Sequence, residues 1–360
     1  MLAYILKRLF YGILVLFGVV TVVFILFNIL PGDPARMLMG QRTDIRSVEN
    51  IRKELGLDRP KITQYAGFLN DISPLSIHNT SDPESYWYLD AEAYDPYIRL
   101  FGLPGNKALI LKYPYLRKSY QSGREVSAII ADAFPKTLLL ALTAISFAFL
   151  VGFTVGILCA LFKDTMFDKI ALFVSVFGMS LPSFFAAILM AWVFAFLLSD
   201  LTGLSMTGSL YSIDDYGRGE YLDLKNLILP AITLGIRPLA IIIELTRGAA
   251  LDVLNQDYIR TARAKGLGTF GVVKGHLVKN SLNPVVTAVT GWFASLMAGA
   301  VFVEYVFDWK GIGVLIVNSL ENYDFPVLMG SVLFISAILV LINIFVDILY
   351  GYLDPRVKIA

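Results

Sequence analysis

The sequence predicts an all-α polytopic membrane protein with six transmembrane helices and a large loop after the first, and three observations carry that prediction. Of the 360 residues, 56% are hydrophobic and only 16% charged, against roughly 25% charged in soluble domains. The charge is unevenly spread: residues 31–136 hold 14 Lys/Arg and 13 Asp/Glu, while the other 254 residues hold 32 charges. Finally, six apolar runs are each long enough to cross a hydrocarbon core, which takes about 20 helical residues.

The first run, residues 9–30, carries no charge and follows Lys7 and Arg8. A secretory signal has an apolar core of about 7 to 15 residues and a small-residue cleavage site; this run instead ends in Pro31-Gly32-Asp33-Pro34 and reads as a retained span. The remaining runs are residues 137–162, 170–198, 227 to about 245, 285–303 and 327–349. Basic residues mark cytoplasmic ends. With the N-terminus inside, the inner segments carry twelve: Lys7, Arg8, Lys163, Lys169, Arg247, Arg260, Arg263, Lys265, Lys274, Lys279, Arg356 and Lys358. The short outer loops carry three, Arg218, Lys225 and Lys310. Both termini are therefore expected in the cytoplasm.

The organisation that follows is an N-terminal tip and first span over 1–30, an extracytoplasmic loop or cap over 31–136, a five-helix core over 137–350 and a cytoplasmic tail over 351–360. In the cap, residues 49–57 and 61–70 have a mildly helical pattern. Residues 79–115 are rich in Tyr, Trp, Pro and Asp, suiting a small folded cap, an external contact, or an insertion lying near the membrane interface.

The charge balance of +1 offers no field for nucleic acid, which is not expected as a partner. The lone Cys159 lies in an apolar run, and His78 and His276 are far apart. No metal centre, cofactor or catalytic constellation is expected. Gly266, Gly268 and Gly271 match a glycine-rich nucleotide loop, but that motif needs a preceding strand, and here the flanks are apolar spans. No phosphate-binding G-x-x-x-x-G-K-[ST] sequence occurs, so any ATP used must be hydrolysed by another chain.

The inner loop 247–284 contains the most informative stretch, Asp257-Tyr258-Ile259-Arg260-Thr261-Ala262-Arg263-Ala264-Lys265-Gly266-Leu267-Gly268. Asp257 can cap a helix start. Arg260, Arg263 and Lys265 supply charge, and Ala262 and Gly266, four apart, form a small-residue face. A second amphipathic piece, residues 272–282, precedes Pro284 at the head of the fifth span. A short basic helix of this kind suits docking into a groove on a cytoplasmic protein, although a loop that merely obeys the charge rule would share the same cations.

Ionisable groups inside spans are costly and face a cavity or partner. Arg237 and Glu244 share a helix face about 10 Å apart, so Arg237 is a candidate to line a path, and Glu244 can pair with Arg247 three residues on. Asn343 and Asp347 suit a polar clamp between helices. Glu304 lies at the outer end of the fifth span. Trp309-Lys310-Gly311-Ile312-Gly313 reads as a turn there, more an interfacial anchor than a gate.

The loop DYIRTARAKGLG at 257–268 resembles the EAA loop of ABC importer permeases in the form found in the dipeptide/oligopeptide permease family. Further matches are PGDPA at 31–35, LGLDRPKITQY at 55–65, SGREVSAIIADAFPKTLLLAL at 122–142, MSLPSFF at 179–185 and LPAITLG at 229–235. FDWKGIG at 307–313, YDFP at 323–326 and VDILYGYLDPR at 346–356 complete the series. The acidic position of the general loop pattern holds Arg260, and its later proline is displaced to Pro284, as is usual in the peptide branch. Residues 79–115 look like an insertion.

The resemblance implies a type I ABC importer permease fold in the inner membrane. It implies as partners a second homologous permease, two cytoplasmic ABC ATPases, an extracytoplasmic peptide-binding protein and membrane lipid. Asp257, Tyr258, Arg260, Ala262, Arg263, Lys265 and Gly266 would couple to the ATPase. Di- or oligopeptides are the expected cargo; nickel chelates, glutathione or oligosaccharides would use the same machinery. A self-sufficient secondary transporter would instead need inverted repeats and broken helices meeting at midplane ionisable residues.

Overall fold

The structure, a computed structural model, describes residues 2–29, 49, 52–53, 56–83, 85–214 and 219–353. PGDPA at 31–35, Leu55, Arg218 and the tail with Arg356 and Lys358 lie outside the described residues. The chain forms two compact units, residues 1–13, 133–314 and 335–360 in the first and 14–132 and 315–334 in the second.

Ten helices organise the described residues: α1 (Leu2–Ile29), α2 (Lys61–Ile72), α3 (Val126–Leu161), α4 (Met166–Ser180), α5 (Ser183–Met190), α6 (Lys225–Leu254), α7 (Asp257–Ala264), α8 (Val278–Phe307), α9 (Ile312–Glu321) and α10 (Phe325–Leu353). Single helical turns at Ser199–Thr202 and Thr269–Val272 and π-helical turns at Ala191–Leu197 and Val273–Leu277 join them. Four segments are long and apolar enough to cross a membrane: Lys7–Leu26, Val126–Leu161, Lys225–Leu254 and Phe325–Ile348.

The other two expected spans are broken. Met166–Ser180 and Ser183–Leu197 meet at 112°, and Thr269–Ala298 and Ala300–Phe307 at 53°; six spans result if each bent pair is one. The run 170–198 is therefore not one straight helix. Pro182 lacks an N–H and disfavours helical geometry in the residue before it, and Leu181 is extended at φ −75°, ψ 135°. Pro284, by contrast, lies inside a helix and begins nothing.

The first unit is built on α6. Its core joins Leu140, Ala141 and Ala144 of α3, Ala187 of α5, Leu229 and Leu234 of α6 and Met297, Ala300 and Val303 of α8, with Phe307 and Trp309 fully buried. Glycines bring α3 and α6 into backbone contact. A Cβ on Gly152 would lie 3.1 Å from the Leu239 carbonyl oxygen, one on Gly156 2.8 Å from that of Ile243, and one on Gly235 2.8 Å from that of Ala144. Small residues four apart allow this approach between apolar helices.

The turn after α8 is a buried polar knot rather than an interfacial anchor. Asp308 ends the helix in the left-handed region at φ 53°. Glu304 is wholly buried and accepts from the Gly313 N–H at 2.6 Å. The Thr137 hydroxyl accepts from the Ile312 N–H at 2.8 Å, and the Trp309 indole donates to the Lys136 carbonyl at 3.0 Å.

The second unit corrects the all-helical expectation. Leu75–Asn79 (β1), Tyr97–Leu103 (β2) and Lys107–Lys112 (β3) form an antiparallel sheet in the order β1-β3-β2. Gly105 and Asn106, at φ 78° and 58°, supply the left-handed backbone that closes the β2–β3 hairpin. Phe68 of α2 packs with Val20 of α1 and Met329 of α10, and Tyr65 and Thr21 share a 2.6 Å hydrogen bond. Asp71 is the polar centre. Its carboxylate accepts from Tyr94 Oη and Arg117 Nε, each at 2.7 Å, and its main-chain carbonyl accepts from Lys112 Nζ. Asp324 accepts from the Ser119 hydroxyl and from the Tyr120 N–H, the latter at 3.0 Å. A shorter two-stranded hairpin, Tyr211–Ile213 with Glu220–Leu222, belongs to the first unit.

These contacts can be tested in both units. Replacing Gly156 by Leu forces α3 from α6 and costs about 1–3 kcal/mol, read as a lowered Tm of the detergent-solubilised protein. Gly248→Ala, inside α6 where a Cβ meets nothing within 4 Å, keeps the packing and raises Tm slightly, by the roughly 0.5–1 kcal/mol that alanine gains over glycine in a helix. In the second unit, desolvation lowers the Lys112 pKa to about 8, with the Asp71 charge opposing. Between that value and the ordinary lysine value of about 10.4 the unfolded state holds more protons, so stability rises with pH. Hydrogen-exchange protection of β3, corrected for intrinsic rate, should increase from pH 8 to 9.5, and Lys112→Met should flatten that increase.

Candidate functional site

The loop after α6 folds into a short helix supported on an apolar base. α7 follows α6 after only Asn255 and Gln256. Ile259 and Ala262 are its buried residues, and Ile259 packs in a cluster with Ile157 and Ala160 of α3, Ala250 and Val253 of α6, Val272 and Leu277. Tyr258 contacts the following segment, its hydroxyl accepting from Asn280 Nδ2 at 3.3 Å and its ring lying 6.0 Å from that of His276.

Three readings of this loop change. Ala262 points into the chain's own core and presents no face to a partner. Asp257 is the first helical residue rather than the cap, Gln256 holding that place; its carboxylate suits the positive end of the helix. Its 3.4 Å pair with Arg260 is almost fully exposed on both sides and worth little. Gly266 lies beyond the helix, which ends at Ala264, in the left-handed region at φ 86°. The Leu267 N–H donates to the Ala262 carbonyl at 3.2 Å and the Gly266 N–H to that of Arg263 at 2.9 Å, the paired bonds of a Schellman ending.

The outward surface therefore consists of Arg260, Arg263 and Lys265, all exposed, around three apolar side chains. Tyr258 is 43% exposed, Leu267 41% and Phe270 79%. Leu267 and Phe270 were not among the sequence candidates. Their signal was present: two apolar residues in a basic stretch with no periodicity to bury them.

A second feature lies where the α4–α5 pair breaks. A cleft of about 70 Å³ is lined by Leu181, Ser183, Thr233, Arg237, Trp292 and Ser295, among others. Arg237 Nη2 donates to the Leu181 carbonyl at 3.3 Å, a group released from helical bonding by Pro182. Ten residues further along α6, Arg247 does not pair with Glu244, which is exposed. It donates instead to both carboxylate oxygens of Asp168, each at 2.7 Å. Asp168 carried no distinguishing signal in the sequence, since its partner lies on a distant helix. Asp347 pairs with Arg8 of α1 at 3.0 Å, and Asn343 is exposed on α10; the structure does not bring these two to the cleft. Among the described residues no group of three His, Cys, Asp or Glu side chains could hold a metal ion.

The pattern that defines the family described as binding-protein-dependent transport system inner membrane component matches residues 152–359, and that of its N-terminal region matches residues 1–80. The dipeptide transport system permease protein DppB of Alkalihalophilus pseudofirmus is 33% identical over 372 residues, covering 99% of this chain and 100% of that protein. The glutathione transport system permease protein GsiC of Escherichia coli is 33% identical over 358 residues, covering 99% of each. A solved chain of the MetNI methionine ABC transporter in inward-facing conformations aligns at a TM-score of 0.48 and 16% identity, over 63% of this chain and 97% of that one.

The helix ending gives a direct test. Gly266→Ala places a Cβ in left-handed backbone at a cost of about 1 kcal/mol, and hydrogen exchange at Lys265–Leu267 should accelerate about fivefold. Gly268→Ala, at φ −70° with no atom within 4 Å of its Cβ, should leave exchange unaltered.

Proposed function

The chain belongs to the family of binding-protein-dependent transport system inner membrane components, and from that premise we propose that it is a permease subunit of an ATP-driven importer of di- or oligopeptides. The observation that carries the coupling half of this reading is the surface of α7 and the segment after it, basic residues around exposed Tyr258, Leu267 and Phe270, with α7 on an apolar base. Full-length relatives are named for dipeptide, di/tripeptide and glutathione transport, all short peptides.

In this reading the termini, Asp168 and α7 face the cytoplasm, as the distribution of Lys and Arg requires. A binding protein delivers peptide to the opposite face, where residues 31–136 form the cap. This chain and a second, homologous permease enclose the path, to which the cleft at Arg237 contributes a cation beside Ser183, Thr233 and Ser295. Two separate ATPase subunits bind and hydrolyse ATP. Closing on ATP, they carry α7 with them, and α6, continuous with it through two residues, transmits that displacement toward the cleft.

The chain's own contribution is mechanical and electrostatic. Phe270 and Leu267 fill pockets on the ATPase, the arginines and Lys265 meet its acidic rim, and the Schellman ending at Gly266 fixes where the helix stops. No covalent step falls to this subunit.

The test is reconstitution of the complete complex in vesicles. Wild-type complex imports peptide only with ATP and binding protein present. Phe270→Asp, which removes an aromatic anchor of the kind that dominates interfaces, should weaken retention of the ATPases about tenfold or more while the protein still inserts and joins its partner permease. Import that persists without the ATPases would overturn the reading.

A further inference from the structure

We propose that Asp168 is a positioning residue for transport: its bidentate pair with Arg247 locks α4 to α6, so that displacement of α7 reaches the cleft as movement of one rigid two-helix body. This rests on the coupling reading above.

The contacts that define the body lie at both ends of α4. At its start, Arg247 Nε and Nη2 each reach a different oxygen of Asp168 at 2.7 Å, the fork geometry that fixes orientation as well as distance. Asp168 is 2% exposed and also accepts from the Asp164 N–H at 3.0 Å, which binds the α3–α4 turn into the same contact. At the far end, the Leu181 carbonyl accepts from Arg237. The two arginines lie ten residues apart on α6, about 15 Å by helix rise. At the Arg237 end, Gly178 lies so near Ile236 that a Cβ would approach its Cγ2 to 2.8 Å.

The chain leaves this body at identifiable places. Beyond Leu181 it turns by 112° into α5, which makes neither arginine contact and packs through Ala187 into the core that includes Leu229 and Leu234 of α6. Beyond Leu254 it enters α7, whose base includes Ala250 and Val253 of α6. Force applied at α7 thus enters α6 directly. Without the Asp168–Arg247 pair, among the described residues the Arg237 hydrogen bond and apolar contacts would be left to hold α4 to α6, and α6 could move past it. Two discrete arrangements linked through a rigid element are the physical requirement for coupling across a distance.

The experiment uses the complete reconstituted complex and compares wild type, Asp168→Asn and Asp168→Glu. Asp168→Asn keeps the shape and removes the charge. Peptide imported per ATP hydrolysed should fall about tenfold, within the range for residues that carry coupling, with ATP hydrolysis and the KM for binding protein little changed. Asp168→Glu, which restores the carboxylate, should recover part of the ratio. An Asp168→Asn complex that keeps the wild-type ratio, or loses uptake and hydrolysis in equal proportion, would overturn the proposal and leave the coupling reading intact. ATP-independent uptake by wild type would overturn both.

A second measurement stands even if Asp168→Asn fails to assemble. Spin labels at Val174 and Leu245, 60% and 39% exposed, report the α4–α6 separation in otherwise wild-type complex. An unchanged distance between nucleotide-free and ATP-bound states supports the rigid body, and a shift larger than the label's own spread refutes it.

Discussion

The close approach of α6 to its neighbours is the constraint on which the first unit depends. Gly152 and Gly156 of α3 leave room for the carbonyls of Leu239 and Ile243, and Gly235 of α6 leaves room for that of Ala144. In an apolar solvent burial of apolar surface gives helices little reason to associate, so contact quality decides whether they do. With α3 and α6 in backbone contact, α8 and the α4–α5 pair have a fixed surface to pack against. α7 inherits its place because α6 runs into it after two residues.

Polar groups then act where helices must stop. Pro182 interrupts the apolar run at Leu181, and Arg237 takes up the released carbonyl. Asp308 turns the chain out of α8, Glu304 and Thr137 accept from N–H groups of the turn that follows, and Trp309 of that turn donates to the Lys136 carbonyl of α3. In the second unit Asp71 gathers Tyr94, Arg117 and Lys112 around one carboxylate and its carbonyl. Burial of an unpaired polar group costs about 1–3 kcal/mol, so each of these knots also determines which arrangement the chain can adopt. The glycines at 266, 311 and 313 are required for related reasons. The first ends a helix with positive φ, and a Cβ on either of the others would overlap the Glu304 carboxylate.

Much of the site was legible in the residues, but not its orientation. The stretch 257–268 was identifiable as basic and as opening in a short helix from Asp257, Arg260, Arg263 and Lys265. Which of its faces is inward depended on Ile157, Val253 and Leu277, which come from three separate stretches of the chain. Ala262 consequently moved from the partner side to the core, and Leu267 and Phe270 moved outward. The pairing of Arg247 was equally inaccessible: Glu244 is a near neighbour in sequence, yet the guanidinium meets Asp168 from another helix. The strands at 75–112 were masked because both faces of β3 carry apolar residues. Ala108 and Ile110 point inward while Leu111 is exposed, so no alternation of polar and apolar residues marks them.

The amino-acid sequence by itself determined which segments are apolar enough for a membrane and which are charged enough for water. Runs without charge suit a hydrocarbon solvent, the dense charge of residues 31–136 suits water, and basic residues at alternate ends are the basis for expecting a direction across the membrane. These are sums over local composition and need no knowledge of neighbours. Tertiary structure decided where those runs break, which side chains meet and which surface is left for partners. The sharp turn at Leu181, a carboxylate held by an arginine from another helix and an exposed Phe270 all depend on contacts between segments. Such contacts are set by shape and hydrogen-bond geometry, to which hydropathy is blind.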